Sequence, residues 1–293
     1  MKFTSPLCVV VFIICLALAC NLTLRAAEQT QKRHRFVCID NKRNNLILVD
    51  QFKPQRSWTR QIPAGSRDIQ ILDKSTLLVS HGNGAAEYDM CTGTPLTWKV
   101  DMYRGIQSAR RLQNGNTLLA SILGVIYTVG PTGEEIDKNT IKKSKLDLRL
   151  VRLLENGNLL IGAKSPSAVL ETKITGELVR TLPLPGKGYK ALQLDNGHIL
   201  ASTGDEVKVV EMDKTGKIVS FVGGKDVHSD LGLDFCSGWD ILKNGNIVMV
   251  NWLGHGKHGT APHLVEFSRD NKVAWKWEDH KIAAQVTNVK VLK

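Results

Sequence analysis

A chain of 293 residues with 42% hydrophobic and 23% charged side chains can bury a full core, which excludes disorder and allows one large repeat domain or two small ones. The formal charge of +11 suits an acidic partner, yet lysines and arginines are scattered along the chain, and the densest run, Lys142, Lys143 and Lys145, has no interleaved aromatics. That run reads as a solvated surface, so no nucleic-acid partner is expected.

Lys2 precedes an apolar run from Leu7 to Ala19, which has the charged start, short apolar stretch and small-residue ending of a secretory leader. Residues 1–27 are therefore expected to be a signal peptide or lipoprotein leader. Ala17-Leu18-Ala19 fits cleavage before Cys20, and a cysteine in that place also resembles a bacterial lipoprotein site. A retained anchor requires the run to extend through Leu24 to approach spanning length. The expected location is periplasm, cell envelope or the outside, with membrane contact only through this leader. Lys2 and Arg25 are its only charges, so the basic character belongs to the remainder of the chain.

Residues 28–34 are polar and read as a linker. Cys8, Cys15 and Cys20 lie in the leader, leaving Cys38, Cys91 and Cys236. Three widely spaced cysteines allow at most one bridge, and no CxxC pair or zinc pattern accompanies them.

From Phe36 onward the chain is a succession of β-rich runs. Phe36-Val37-Cys38-Ile39-Asp40, Leu46-Ile47-Leu48-Val49-Asp50 and Ser57-Trp58-Thr59-Arg60-Gln61-Ile62 form a first unit that lacks an opening strand. A phrase then recurs: Leu112-Gln113-Asn114-Gly115-Asn116, Leu154-Glu155-Asn156-Gly157-Asn158, Leu194-Asp195-Asn196-Gly197-His198 and Leu242-Lys243-Asn244-Gly245-Asn246, with Leu72-Asp73-Lys74-Ser75-Thr76 as a degraded copy. Asn-Gly between hydrophobic runs predicts a tight hairpin with positive φ at its centre. A second turn carries Thr92-Gly93, Thr132-Gly133, Thr175-Gly176 and Thr215-Gly216, whose glycines are 40, 43 and 40 residues apart. That is the period of a four-stranded propeller blade, and the gaps between strands are too short for helices. The terminal run Val286-Thr287-Asn288-Val289-Lys290-Val291-Leu292 supplies the strand missing from the first unit. The predicted fold is all-β: a six-bladed β-propeller over residues 35–293, with four-stranded antiparallel blades, closed by the C-terminal strand completing blade one.

In such a blade the Asn-Gly and Thr-Gly turns share one face of the disk, and the connections that break the repeat lie on the other. The broken connections are His81-Gly82-Asn83-Gly84, residues 221–239 and residues 251–263. They carry His81, His228, His255, His258 and His263 with Trp239 and Trp252. Histidine can act as acid, base, metal ligand or hydrogen-bond partner near neutral pH, so His228, His255 and His258 are the candidate catalytic residues. Their spacing fixes no metal and no cofactor. Aligning the inner strands on the Leu before each hairpin puts Arg67, Gln107, Arg149, Tyr189, Ser237 and Thr287 in one column. Gln70, Arg110, Arg152, Asp240 and Lys290 stand three residues further on. Arginines there can hold an anionic group, and channel residues are also polar simply because a channel is wet.

The phrase Trp239-Asp240-Ile241-Leu242-Lys243-Asn244-Gly245-Asn246-Ile247-Val248 with Val273-Ala274-Trp275-Lys276-Trp277 resembles the arylsulfotransferase-like members of the pyrroloquinoline-quinone-like propeller superfamily. The resemblance implies the propeller fold across nearly all of the chain after the leader. Where that family has His-Asp before the turn, this chain has Trp239-Asp240, so no catalytic histidine carries over.

These observations lead to the expectation of an exported propeller that binds a polar small molecule or carbohydrate at the irregular face, through His81, Arg67, Arg149, Tyr189, Trp239 and Trp252. The alternatives are a transferase, lyase or hydrolase using a histidine of blades five and six, and a protein-interaction scaffold.

Overall fold

A computed structural model describes residues 32–254 and 256–292. The leader expected over residues 1–27 lies outside them. Residues from His34 onward form one compact unit of six four-stranded antiparallel sheets, almost free of helix. Their innermost strands are Val286–Leu292, Ile69–Ile71, Ile106–Arg111, Asp147–Leu153, Ala191–Gln193 and Cys236–Ile241, for blades one to six in turn. The predicted six-bladed propeller is the observed fold.

The second strand of each blade is a continuous apolar run because both of its faces are covered. In Thr117–Ser121, Leu118 and Ala120 point into the seam toward blade four, while Leu119 points into the seam toward blade two. Successive side chains of a strand alternate faces, so a run without polar interruption feeds two interfaces at once. The core is accordingly divided among six seams between adjacent blades, and the axis of the disk is left to polar groups. Complete burial of one such leucine contributes about 2–3 kcal/mol.

Closure follows the expected scheme. Strand Arg35–Asp40 pairs with Val286–Leu292, from Arg35 opposite Leu292 to Asp40 opposite Val286. The Asp40 carboxylate accepts hydrogen bonds from the Ala284 and Gln285 amides at 2.9 and 3.1 Å. His34, the last residue of the expected linker, belongs to the propeller, since its Nε2 lies 2.7 Å from the buried Glu266 Oε2 of blade six. Joining the ends in this way removes the two free sheet edges that an open ring would expose.

The hairpin turns differ in detail from the expectation. Gly115 has φ of +87°, but Asn114 does not have a positive φ. Its side-chain oxygen instead accepts the Asn116 amide at 3.1 Å, while the Gly115 amide donates to Leu112 and the Leu112 amide to Asn116. The asparagine therefore serves as a side-chain cap of a longer turn, and only the glycine needs the left-handed region. Cys38, Cys91 and Cys236 are all free, Cys38 and Cys236 in the core, where burial pushes both thiols up, and the possible bridge does not form.

Candidate functional site at the loop face of the channel

Five of the six residues in the predicted column converge. Arg67, Arg149, Tyr189, Ser237 and Thr287 line a single cavity of about 290 Å³ at the end of the channel bearing the irregular connections. Gln107 is buried nearby in the same register but does not line it. The connections supply the rest of the wall: Lys164 from blade four, Lys187 and Asp205 from blade five, and Lys225, Asp234, Phe235 and Trp252 from the lengthened loops of blades five and six.

Tyr189 organises the floor. Its hydroxyl lies 2.8 Å from Thr287 Oγ1, and Arg67 Nη1 donates to it over 3.4 Å. The Tyr189 ring stands edge-on to Phe235 at 6.5 Å, and Phe235 stands edge-on to Trp252 at 5.7 Å. An aromatic wall thus faces a cationic floor. Arg149 is committed to Asp147, which it meets through both terminal nitrogens. Beside the phenol and Asp147, the Arg67 guanidinium is held above its ordinary value despite the opposing effect of burial. Arg67 Nε and Ser237 Oγ are buried without a hydrogen-bond partner.

Below this floor the channel is plugged. Asp68, fully buried, accepts hydrogen bonds from Arg110, Ser108 and both terminal nitrogens of Arg152, with Asn288 Nδ2 at 3.4 Å. Burial alone pushes the Asp68 carboxyl up, but the two guanidiniums and the serine hydroxyl together hold it below the ordinary carboxylate range. On the far side of the plug, Gln70, Arg110, Arg152, Lys190, Asp240 and Lys290 line a second cavity of about 390 Å³. Lys290 is paired to Asp240 at 2.8 Å. Lys190 donates to the Trp239 carbonyl and its Nζ lies 4.6 Å from the centre of the Trp239 ring. Burial, reinforced by the charge of Lys290, drives the Lys190 ammonium well below its usual value.

The predicted histidines do not gather at the loop-face cavity. His81 is buried in a two-residue hairpin, its Nδ1 accepting the Asn83 amide at 3.4 Å and standing 3.9 Å from Asp101. His228 packs on Phe267 and reaches Asn271 at 3.3 Å, at the seam between blades five and six. His258 lies 3.4 Å from Gln285. None of the three lines the cavity. His255 lies outside the described residues. Trp239 is wholly buried in the seam between blades five and six, so it supports Lys190 from beneath and presents no face to a ligand. Among the described residues no group of three or more histidine, cysteine or acidic side chains is placed to hold a metal ion.

Asp68 and Lys190 were not among the predicted residues. Each immediately follows a residue of the column, Arg67 and Tyr189 respectively, and strict alternation assigns it to the opposite face. Both precede the laddered residues of their innermost strands, Ile69–Ile71 and Ala191–Gln193, and their amides donate to the Ser80 and Ser202 hydroxyls, not to a strand carbonyl, so regular alternation does not extend to them. The available signal was a charged residue directly after a column residue, Asp68 after Arg67 and Lys190 after Tyr189.

No protein-family model matches the chain, and no curated protein matches it. Among solved structures it is similar to a protein of unknown function from Bacteroides caccae, with 23% identity, a TM-score of 0.74, and coverage of 89% of this chain and all of the other. A streptogramin B lyase is similar at 13% identity and a TM-score of 0.59, over 85% of this chain and 82% of the other. The WD40 propeller domain of Doa1 is similar at 15% identity and a TM-score of 0.57, over 85% and 80%. A lyase and a WD40 domain at comparable similarity carry the propeller fold and nothing more specific.

Proposed function

We propose that this protein is an exported binding protein for a polar small molecule, a sugar or a molecule of similar size, held in the loop-face cavity. The observation that supports it most is the convergence of five inner-strand side chains and an aromatic wall on one cavity, at the end where the repeat is broken. Tyrosine, phenylalanine and tryptophan beside arginine and hydroxyl groups suit a ring with an apolar face and polar edges. Export draws its support from the leader-like sequence of residues 1–27. Acid–base catalysis by His228 or His258 gains no support from their positions, and the arylsulfotransferase-like phrase places the buried Trp239 where that family has histidine.

A thermal-shift screen of neutral and acidic mono- and disaccharides tests this. At a hundredfold excess over Kd, a true ligand raises the melting temperature by about 5 °C or more. Trp252→Ala, which removes one side of the wall, is expected to abolish that shift while the unliganded protein melts within a few degrees of wild type. A screen with no hit, or a hit that Trp252→Ala retains in full, contradicts the proposal.

A further inference from the structure

The loop-face cavity has a polarity that a neutral sugar does not use. Five cations, Arg67, Arg149, Lys164, Lys187 and Lys225, border it against two carboxylates, Asp205 and Asp234. Both carboxylates are occupied, Asp205 by Lys187 at 2.6 Å and Asp234 by Lys257 at 2.7 Å. Arg149 is spent on Asp147. Among the described residues Arg67 has no carboxylate within ion-pair distance, and its side chain makes a single hydrogen bond, the long one to the Tyr189 hydroxyl. A guanidinium has five donors, so most of its capacity is unused.

Two further atoms point the same way. Arg67 Nε and Ser237 Oγ, each on a residue lining the cavity, are buried without a hydrogen-bond partner. Leaving such atoms unpaired costs about 1–3 kcal/mol each, and native proteins rarely accept that without a reason. Pairing either with a ligand oxygen requires its side chain to turn toward the cavity that the residue lines.

We infer that the ligand is an acidic sugar, its carboxylate or an equivalent anionic oxygen group seated on Arg67 and Ser237 and its ring set against Tyr189, Phe235 and Trp252. The inference rests on the cavity being the ligand site. A volume of about 290 Å³ lies at the small end of ligand pockets and suits one ring. The planar fork of an arginine matches a carboxylate in two hydrogen bonds, which lysine cannot reproduce. Lys164 and Lys225, neither paired to a carboxylate among the described residues, add attraction from the rim.

Calorimetric titration of the protein with D-glucuronate and with D-glucose tests the inference. The expected result is at least tenfold tighter binding of D-glucuronate, with a preference that weakens as salt is raised. Arg67→Gln is expected to remove that preference, lowering D-glucuronate affinity at least tenfold more than it lowers D-glucose affinity. Arg67→Lys, which keeps the charge and serves if the glutamine variant does not fold, is expected to retain only part of it. Equal affinity for the two sugars, or D-glucuronate binding unaffected by both Arg67 variants, overturns the inference. If the two sugars bind equally and Trp252→Ala abolishes both, only the anionic preference falls. If neither sugar binds, or Trp252→Ala changes nothing, the assignment of the cavity as the ligand site falls with it.

Discussion

At the scale of single residues the axis of this propeller is a sequence of charge decisions. Asp68 bridges two arginines on the axis, whereas Arg67, its neighbour in sequence, lines the cavity without a carboxylate partner. The loop-face cavity and the cavity beyond Asp68 share no lining residue. A second polar pair, buried His263 and half-buried His280, lies at the seam that closes the ring. His263 Nε2 stands 3.1 Å from His280 Nδ1, with the His263 ring against Trp277. Burial, and secondarily the charge of His280, pushes the His263 imidazole down to about 4. An unfolded histidine titrates near 6.5, so between about pH 6.5 and 4 the unfolded chain takes up a proton that the folded one refuses. Folding stability is therefore full above that window and falls as the pH drops through it, by up to about 3 kcal/mol. Denaturant melts at pH 7 and pH 4.5 are expected to show this loss, and His263→Gln to show a smaller difference between the two pH values. Identical pH dependence in wild type and variant removes His263 as the cause.

At the scale of elements, the hairpins show why repeated glycines are not equivalent. Gly157 sits in an Asn-Gly turn with φ of +82°, and a Cβ there meets nothing within 4 Å. Gly176 sits in a Thr-Gly turn with φ of +85°, and a Cβ there comes within 2.2 Å of the Thr140 carbonyl oxygen in the neighbouring blade. Alanine at 157 bears only the left-handed backbone cost of about 1–2 kcal/mol. Alanine at 176 must also push one blade away from the next. Chemical denaturation is expected to rank Gly176→Ala as the more damaging by at least about 1 kcal/mol. The opposite order means that the Thr-Gly turns are not inter-blade contacts in solution.

The same elements show what the sequence made legible. Blade number, register and closure could all be read because the turns need glycine and the central residues of the second strands, buried on both sides, are apolar. Arg67, Arg149, Tyr189 and Trp252 could be placed at one cavity because column and loop both follow from that register. The histidines misled because a lengthened loop has many routes. His228 turns outward to Phe267 and Asn271, and nothing in its local sequence distinguishes that path from one over the channel. Trp239 misled for a different reason. In blade six the register irregularity falls between Cys236 and Trp239, and the indole lies in the seam, where Cys236, Met249 and Phe267 surround it.

At the scale of the whole molecule, the apolar core is distributed around a ring of six seams, and each blade is held by two neighbours. One end of the polar axis is regular and short-turned, the other irregular, aromatic and cationic, and no helix among the described residues is long and apolar enough to cross a membrane. On the function proposed above, the cavity at that mouth is a preformed site, which orders little on binding and so loses little affinity to entropy.

Hydrogen–deuterium exchange with and without a saturating sugar from the screen measures where binding occurs. The account predicts slowed exchange in the segments 186–190, 203–206 and 234–238, which contribute Lys187, Tyr189, Asp205, Phe235 and Ser237 to the cavity, with the hairpin turns around Gly115, Gly157 and Gly245 unchanged. Protection confined to those turns or to the outer strands contradicts it, and places the functional surface on the opposite face or the rim of the disk.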